Sequence, residues 1–154
     1  MIMAVYKFKM QGILDIKDKL ESQAKQDFAN ANLKLLEEEA LLAEITKRKE
    51  DYVNRGVELR MNSIDTVNID INDNGIEVLE DMREKQEREV IVARKNVEIA
   101  RTKMMEARTQ TRIYEKLKEE DFNEFMIEQG KIESKEIDEL NSFRFAEKTI
   151  RGDS

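Results

Sequence analysis

Cysteine, histidine, proline and tryptophan are all missing from the 154 residues, and glycine occurs only five times. Without thiol or imidazole there is no Cys/His zinc site, no thiol nucleophile, no imidazole base and no disulfide framework. Any chemistry would rest on carboxylate, lysine, tyrosine or hydroxyl groups, and neither a cofactor nor a metal is expected. Without proline, nothing in the sequence stops a helix outright. Long apolar runs are missing too. The longest, Met1 to Tyr6, is too short for a membrane span or the core of a secretory signal, so a cytoplasmic protein is expected. A net charge of −7, from 27 basic and 34 acidic residues, opposes nonspecific binding to nucleic acid or anionic lipid. The expected ligand is another protein.

What the chain has in excess is charge, 40% of its residues, against roughly a quarter in ordinary domains. The apolar residues between those charges are periodic. From Ile13 the steps of three and four run through Ile16, Leu20, Ala24, Phe28, Ala31, Leu35, Leu42, Ile45, Tyr52 and Leu59, the stripe of a long helix with one buried face. Glu38, Lys49 and Gly56 fill the gaps in that stripe. The two successive steps of four, Leu20 to Ala24 to Phe28, predict a local loosening of the supercoil. In the second half Val90, Ala93, Val97, Ala100, Met104, Ala107, Thr111 and Tyr114 alternate three and four without a fault, which is a coiled-coil seam. Alanine at every seventh position lets two backbones approach closely.

Between these stretches lies a segment rich in Asn and Asp, from Asn62 to Gly75. Such residues compete with the helix backbone for hydrogen bonds, and glycine permits positive φ, so a chain reversal is expected there. The fold class is therefore all-α, a long two-helix antiparallel coiled-coil hairpin forming one domain. Helix 1 is expected over about 10–60, the turn over about 62–75, helix 2 over about 76–145 and a flexible tail over 146–154. At 1.5 Å per residue the arms would be roughly 75 and 100 Å long. Charge is segregated along them. Residues 61–82 carry six acidic and no basic groups, residues 83–118 a net +5, and residues 119–140 a net −7. Such blocks steer a rod into a complementary partner.

Several motifs have a plainer reading beside the functional one. Asp70, Asn72, Asn74 and Gly75 match the opening of a calcium loop, but the twelfth position is Asp81 rather than the bidentate Glu, and Glu77 stands where an apolar residue belongs. The alternative is an Asx-rich turn with Asp73 or Asn74 capping helix 2. Arg151-Gly152-Asp153-Ser154 spells an adhesion tetrapeptide that acts only outside cells, and a chance match in a tail is the better reading. Arg94, Arg101 and Arg108 recur at seven-residue spacing, as intramolecular ion pairs or as a stripe for an acidic partner. Leu41, Val53, Met82 and Met105 lie off or at the edge of the seams, where a two-helix hairpin has no third layer to cover them.

The run Tyr6-Lys7-Phe8-Lys9-Met10-Gln11-Gly12-Ile13-Leu14-Asp15-Ile16, the later Leu20-Glu21, Tyr114-Glu115-Lys116-Leu117-Lys118, and the C-terminal Lys135-Glu136-Ile137-Asp138-Glu139-Leu140 together resemble the flagellar FliJ family. The likeness covers nearly the whole chain, and the last segment is its most specific part. It departs from the family at the Asn/Asp-rich tip. The resemblance implies a two-helix coiled coil similar to the rotor stalk of rotary ATPases, placed in the cytoplasm at the inner face of the inner membrane. Its base, made of both terminal segments, would enter the pore of the export ATPase FliI ring, and its distal part would contact the cytoplasmic part of the export gate FlhA. FliH and export chaperones would be further partners, without nucleic acid or membrane insertion.

On that basis Lys7, Lys9, Lys17, Glu136, Asp138, Glu139, Arg144 and Lys148 are expected to contact the ring, and Leu41, Ile45, Tyr52, Leu79 and Met82 the gate. An escort chaperone for export substrates is the alternative from another class. The stalk of a virulence type III secretion system or a rotary ATPase is a third, and the last would need a globular insertion. An enzyme is the weakest reading, because two helices offer no water-excluding pocket in which to shift carboxylate pKa values. From the seam alone, Ala100→Asp is expected to lower the melting temperature far more than a charge change at any surface position, as a thermal melt would show.

Overall fold

A computed structural model describes residues 4–62 and 65–152. It consists of two helices, α1 (Gln11–Asn62) and α2 (Thr66–Ile150). They pack as an antiparallel hairpin, in which partners run in opposite directions along the two chains: Arg60 meets Asp73, Lys49 meets Glu80, Glu38 meets Gln86 and Phe28 meets Arg101. The described residues fall into two compact units, Leu20–Ala107 and the chain on either side of that span.

Residues 20–107 hold the chain reversal, which is much tighter than expected. α2 starts at Thr66 because Asp65 caps it. The Asp65 carboxylate accepts hydrogen bonds from the backbone N–H groups of Val67 at 3.2 Å and Asn68 at 3.4 Å, and from the Asn68 side chain at 2.7 Å. Helix starts leave four such donors without partners, and a short carboxylate is among the best groups to satisfy them. Neither Asp73 nor Asn74 is a cap, since both lie inside α2. Of the expected turn, Ser63 and Ile64 lie outside the described residues. The Asn/Asp-rich run stays helical because it still turns Ile69, Asn72, Ile76 and Leu79 inward at steps of three and four. Packing of that face outweighs the weak propensity of its polar residues.

The bulkier inward positions of this unit, Ile45 and Leu79, lie nearer the reversal, and further along α2 the seam includes little bulk. Val90, Ala93, Val97 and Ala100 are buried on α2, with Ala24 and Ala31 half-buried on α1, as the alanine spacing implies. The three non-apolar positions of the first seam each have a specific partner. Gln86, itself buried, donates from Nε2 to the Glu38 carbonyl at 2.9 Å and to the Glu38 carboxylate. Lys49 is paired with Glu80. Gly56 lies against the buried Asn72 amide, whose Nδ2 donates to the Tyr52 carbonyl at 2.9 Å, and a Cβ on Gly56 would stand 2.8 Å from that nitrogen.

In the unit made by the two ends of the chain, α1 and α2 pair through Leu14, Lys17, Thr111, Tyr114 and Lys118. Here the structure corrects the sequence reading. Leu14 is 5% exposed, whereas Ile16 is 58% exposed and Ile13 and Leu20 also face outward. The inward set along α1 is Leu14 and Lys17 here and Glu21, Ala24 and Phe28 within residues 20–107, so the alternation of three and four never breaks and the expected pair of four-residue steps does not occur. Polar residues can hold these positions because their stems pack while their heads find partners. Lys17 Nζ lies 5.9 Å from the Tyr114 ring centroid, and the fully buried Thr111 hydroxyl donates to the Lys17 carbonyl at 3.2 Å.

α2 continues well past its pairing with α1. It runs to Ile150, and Gly152 closes its end at φ 69°, a left-handed conformation that glycine adopts without a Cβ penalty. The flexible tail expected from residue 146 is therefore helical up to that point. Arg151 and Gly152 belong to the helix end, while Asp153 and Ser154 lie outside the described residues.

Among the described glycines the closest fit is at Gly75, which lies against the Tyr52 ring: a Cβ there would stand 2.3 Å from Tyr52 Cε2. Gly75→Ala is therefore expected to destabilise the protein, because displacing the ring costs about 1–3 kcal/mol and exceeds the gain in helix propensity. In a Tyr52→Ala background the obstacle is gone, and the same change is expected to stabilise by about 1 kcal/mol. Chemical denaturation of the four members of this cycle measures the change of sign.

Candidate functional site

The expected ring contacts all fall in the unit formed by the chain ends, in two separate places. Lys7 and Lys9 are exposed on an extended N-terminal segment, residues 4–10. Glu136, Asp138, Glu139, Arg144 and Lys148 are exposed on the last part of α2. Lys17 does not join either group, since it is half-buried over Tyr114 in the helix pairing.

The N-terminal segment is fixed to α2 by an aromatic clamp that the sequence reading missed. The Tyr6 ring meets Phe122 edge-on at 5.1 Å between centroids and Phe125 at 5.3 Å. Its hydroxyl donates to the Asp121 carboxylate at 3.0 Å and to the Lys118 carbonyl at 3.3 Å. Partial burial, then the Asp121 carboxylate, raise the phenol pKa above its ordinary value. Phe8 is buried beside it, and Lys118 Nζ donates to Gln11 Oε1 at 2.7 Å. The signal was present in the sequence as an aromatic pair at i, i+3, Phe122 and Phe125, with two N-terminal aromatics to match it.

Among the described residues, no other element packs on α2 from Gly130 onward. From Gly130 to Ile150 every residue except Glu147 is exposed, including Ile132, Leu140 and Phe143. The half-exposed Tyr6 and this naked helix make the terminal unit a surface of alternating charge and apolar side chains.

The expected gate contacts divide differently. Ile45 and Leu79 are 5% and 8% exposed, so both belong to the helix–helix seam and cannot face a partner. Their positions in the strict alternation of three and four require this. Leu41, Tyr52 and Met82 are exposed, as is Val53. Close by, Tyr52, Arg55, Leu59, Asn68, Ile71 and Asn72 line an open groove of about 430 Å³ near the chain reversal. Asp70 to Asp81 is wholly helical, so it cannot form the calcium loop that its residues suggest. No cluster among the described residues has the make-up of a metal site.

Two of the three spaced arginines, Arg94 and Arg101, are engaged within residues 20–107. Arg94 pairs with Glu39 at 3.5 Å, while Arg101 pairs with Glu98 at 3.5 Å and stacks over the Phe28 ring. A denser network joins the helices nearer the reversal. Glu80 accepts from Arg83 at 2.5 Å and from Lys49, and Arg83 also reaches Glu87 at 2.5 Å. Arg83 first and Lys49 second hold the Glu80 carboxyl at a pKa of about 2, against an ordinary 4.5. Lys34, with the buried Gln86, likewise lowers the Glu38 carboxyl.

A carboxyl whose pKa is lowered by folding adds stability above its unfolded value and loses it as pH falls through the folded one. The melting temperature of the protein is therefore expected to exceed that of Glu80→Gln at neutral pH. The gap is expected to close as pH falls from about 4.5 to about 2, and thermal melts across that range, showing a constant gap, would count against the network.

Among the described residues, no helix is long and apolar enough to cross a membrane. The fold is shared with a solved structure of a YscO homolog from Chlamydia trachomatis, at a TM-score of 0.68 and 21% identity, over 90% of this chain and 94% of that one. No curated protein matches the sequence significantly. The model of the flagellar FliJ protein family matches residues 6–149, nearly the whole of both helices, and the chain belongs to that family.

Proposed function

We propose that this chain, a component of the flagellar or type III export machinery by its family, works there as a non-enzymatic stalk. Its terminal unit would dock in the export ATPase ring, and its reversal end would reach the export gate at the inner membrane. The observation that carries this reading is that both ends of the chain fold into one unit, clamped by Tyr6, which leaves the last turns of α2 projecting and charged. A projecting helix with carboxylates at Glu136, Asp138 and Glu139 and cations at Arg144 and Lys148 suits a polar pore. Long-range steering and close fit both depend on such charge patterns. The exposed Leu41, Tyr52 and Met82 remain as gate contacts, in place of the larger set that included Ile45 and Leu79.

The outward apolar residues of α1, such as Leu33, Leu36 and Val57, support escort of export substrates as a second reading. The two are separated by one comparison. Purified protein is expected to raise ATP turnover by the export ATPase and to promote ring assembly, and Arg144→Glu with Lys148→Glu is expected to reduce that stimulation about tenfold. Leu41→Glu with Met82→Glu is expected to leave stimulation intact and to weaken gate binding. Unchanged ATP turnover at saturating protein would refute the stalk. Substrate binding that survives removal of residues 130–154 would favour the escort.

A further inference from the structure

The apolar stripe on α2 does not end where the N-terminal segment stops covering it. Phe122 and Phe125 hold Tyr6. On the same helix face the stripe continues as Ile132, Leu140, Phe143 and Ile150, all within an arc of about 80° at 100° per residue. Phe143 is 67% exposed. An uncovered stripe of this length is unusual for a chain that stays alone in solution.

The charges beside the stripe say what kind of partner fits. Residues 128–140 hold five acidic groups and two basic ones, whereas residues 141–151 hold Arg144, Lys148 and Arg151 against Glu147 alone. The helix is thus acidic in its first half and basic in its second, with the change of sign next to Leu140. A second copy of the same helix laid antiparallel across this point sets Arg144 and Lys148 of each chain toward the Glu133–Glu139 half of the other, while Arg151 pairs with Glu147 of its own helix at 2.8 Å. It brings the two Leu140 side chains together, and it sets Ile150 close to Ile132 of the other copy, the apolar residue at the far end of the same stripe. A parallel arrangement would oppose like charges along its whole length, which is destabilising.

We infer that the exposed α2 segment from Gly130 to Ile150 pairs antiparallel with the same segment of a second copy, centred on Leu140. The paired length, 21 residues at 1.5 Å each, is roughly 30 Å. That is near the small end of specific interfaces, so the pairing is reversible and concentration-dependent. It is independent of the stalk reading, since a chain can self-associate whether or not it binds a ring.

The lack of native cysteine makes the geometry directly testable in the full chain. Under mild oxidation Leu140→Cys is expected to form a covalent dimer with itself. Ile150→Cys is expected to crosslink with Ile132→Cys in a mixture but not with itself, because antiparallel pairing holds the two Ile150 positions roughly 30 Å apart. Sedimentation of the unmodified protein is expected to show a monomer–dimer equilibrium, weakened about tenfold or more by Phe143→Glu. The same change at Leu36, equally exposed but off this helix, is expected to leave it unaltered. All these positions are exposed, so circular dichroism serves to confirm that the helices persist. A monomer at the highest soluble concentration, an Ile150→Cys self-crosslink, or equal loss from Leu36→Glu would each overturn the proposal.

Discussion

The register between α1 and α2 is the constraint on which everything else in this protein depends. Two helices in contact share one narrow stripe, so stability is spread thinly, and small side chains such as Ala93 and Ala100 add little area each. Apolar contacts of that kind are not directional. A seam of alanine and valine alone would tolerate sliding by a heptad, since the pattern repeats. What distinguishes one register from the next is the set of positions that break the apolar pattern: Glu38 on Gln86, Lys49 on Glu80, and Gly56 on Asn72. Slipping by seven residues would leave a buried amide or a charge without a partner, which costs more than the apolar contacts it would preserve. We regard these pairs as specifying the fold more than stabilising it, the role best attested for polar residues in coiled coils.

That register also decides where the molecule is left open. With the chain reversal fixed between Asn62 and Thr66, α1 is shorter than α2 and cannot cover its last part. The extended N-terminal segment covers some of the difference by means of Tyr6 and Phe8, up to Phe125. The remainder, a helix held by its own hydrogen bonds and side-chain pairs, is the part of the molecule least tied to a core. Most helical stability in proteins comes from tertiary packing, so its persistence draws on continuity with the packed part of α2 and on the Gly152 end. A partner that binds there therefore meets a preformed surface.

Much of the fold could be read from the sequence, because heptad spacing is a strong signal when it persists for dozens of residues. The α2 seam from Val90 to Tyr114 and the antiparallel pairing follow from it directly. Reading failed where apolar identity and helical phase disagree. Ile13, Ile16 and Leu20 look like seam residues, yet Lys17 and Glu21 occupy it, since the helix keeps its phase from Leu14 onward and a lysine stem packs well against Tyr114. The Asn/Asp-rich run failed for the opposite reason. Its local preferences favour a turn, but its spacing matches the seam, and packing prevailed. The same logic removed Ile45 and Leu79 from the candidate docking face. Side chains that continue the alternation are inward, however attractive they look as contacts.

The charge blocks acquire a different meaning once this geometry is fixed. Within residues 20–107 ion pairs join the two helices, Arg94 with Glu39, Lys49 with Glu80 and Arg60 with Asp73, and they serve register. Past Gly130 no other described element faces α2, and apart from Arg151 on Glu147 the charges there are free for recognition. A stripe that were wholly apolar there would aggregate, while one that were wholly charged would bind little. Interruption of the Ile132–Ile150 stripe by Glu136 and Glu147 weakens indiscriminate association, and it favours a partner able to bring cations to those positions. The segment is thereby suited to exchange: weak enough to be released, and patterned enough that only an oppositely polarised surface fits it.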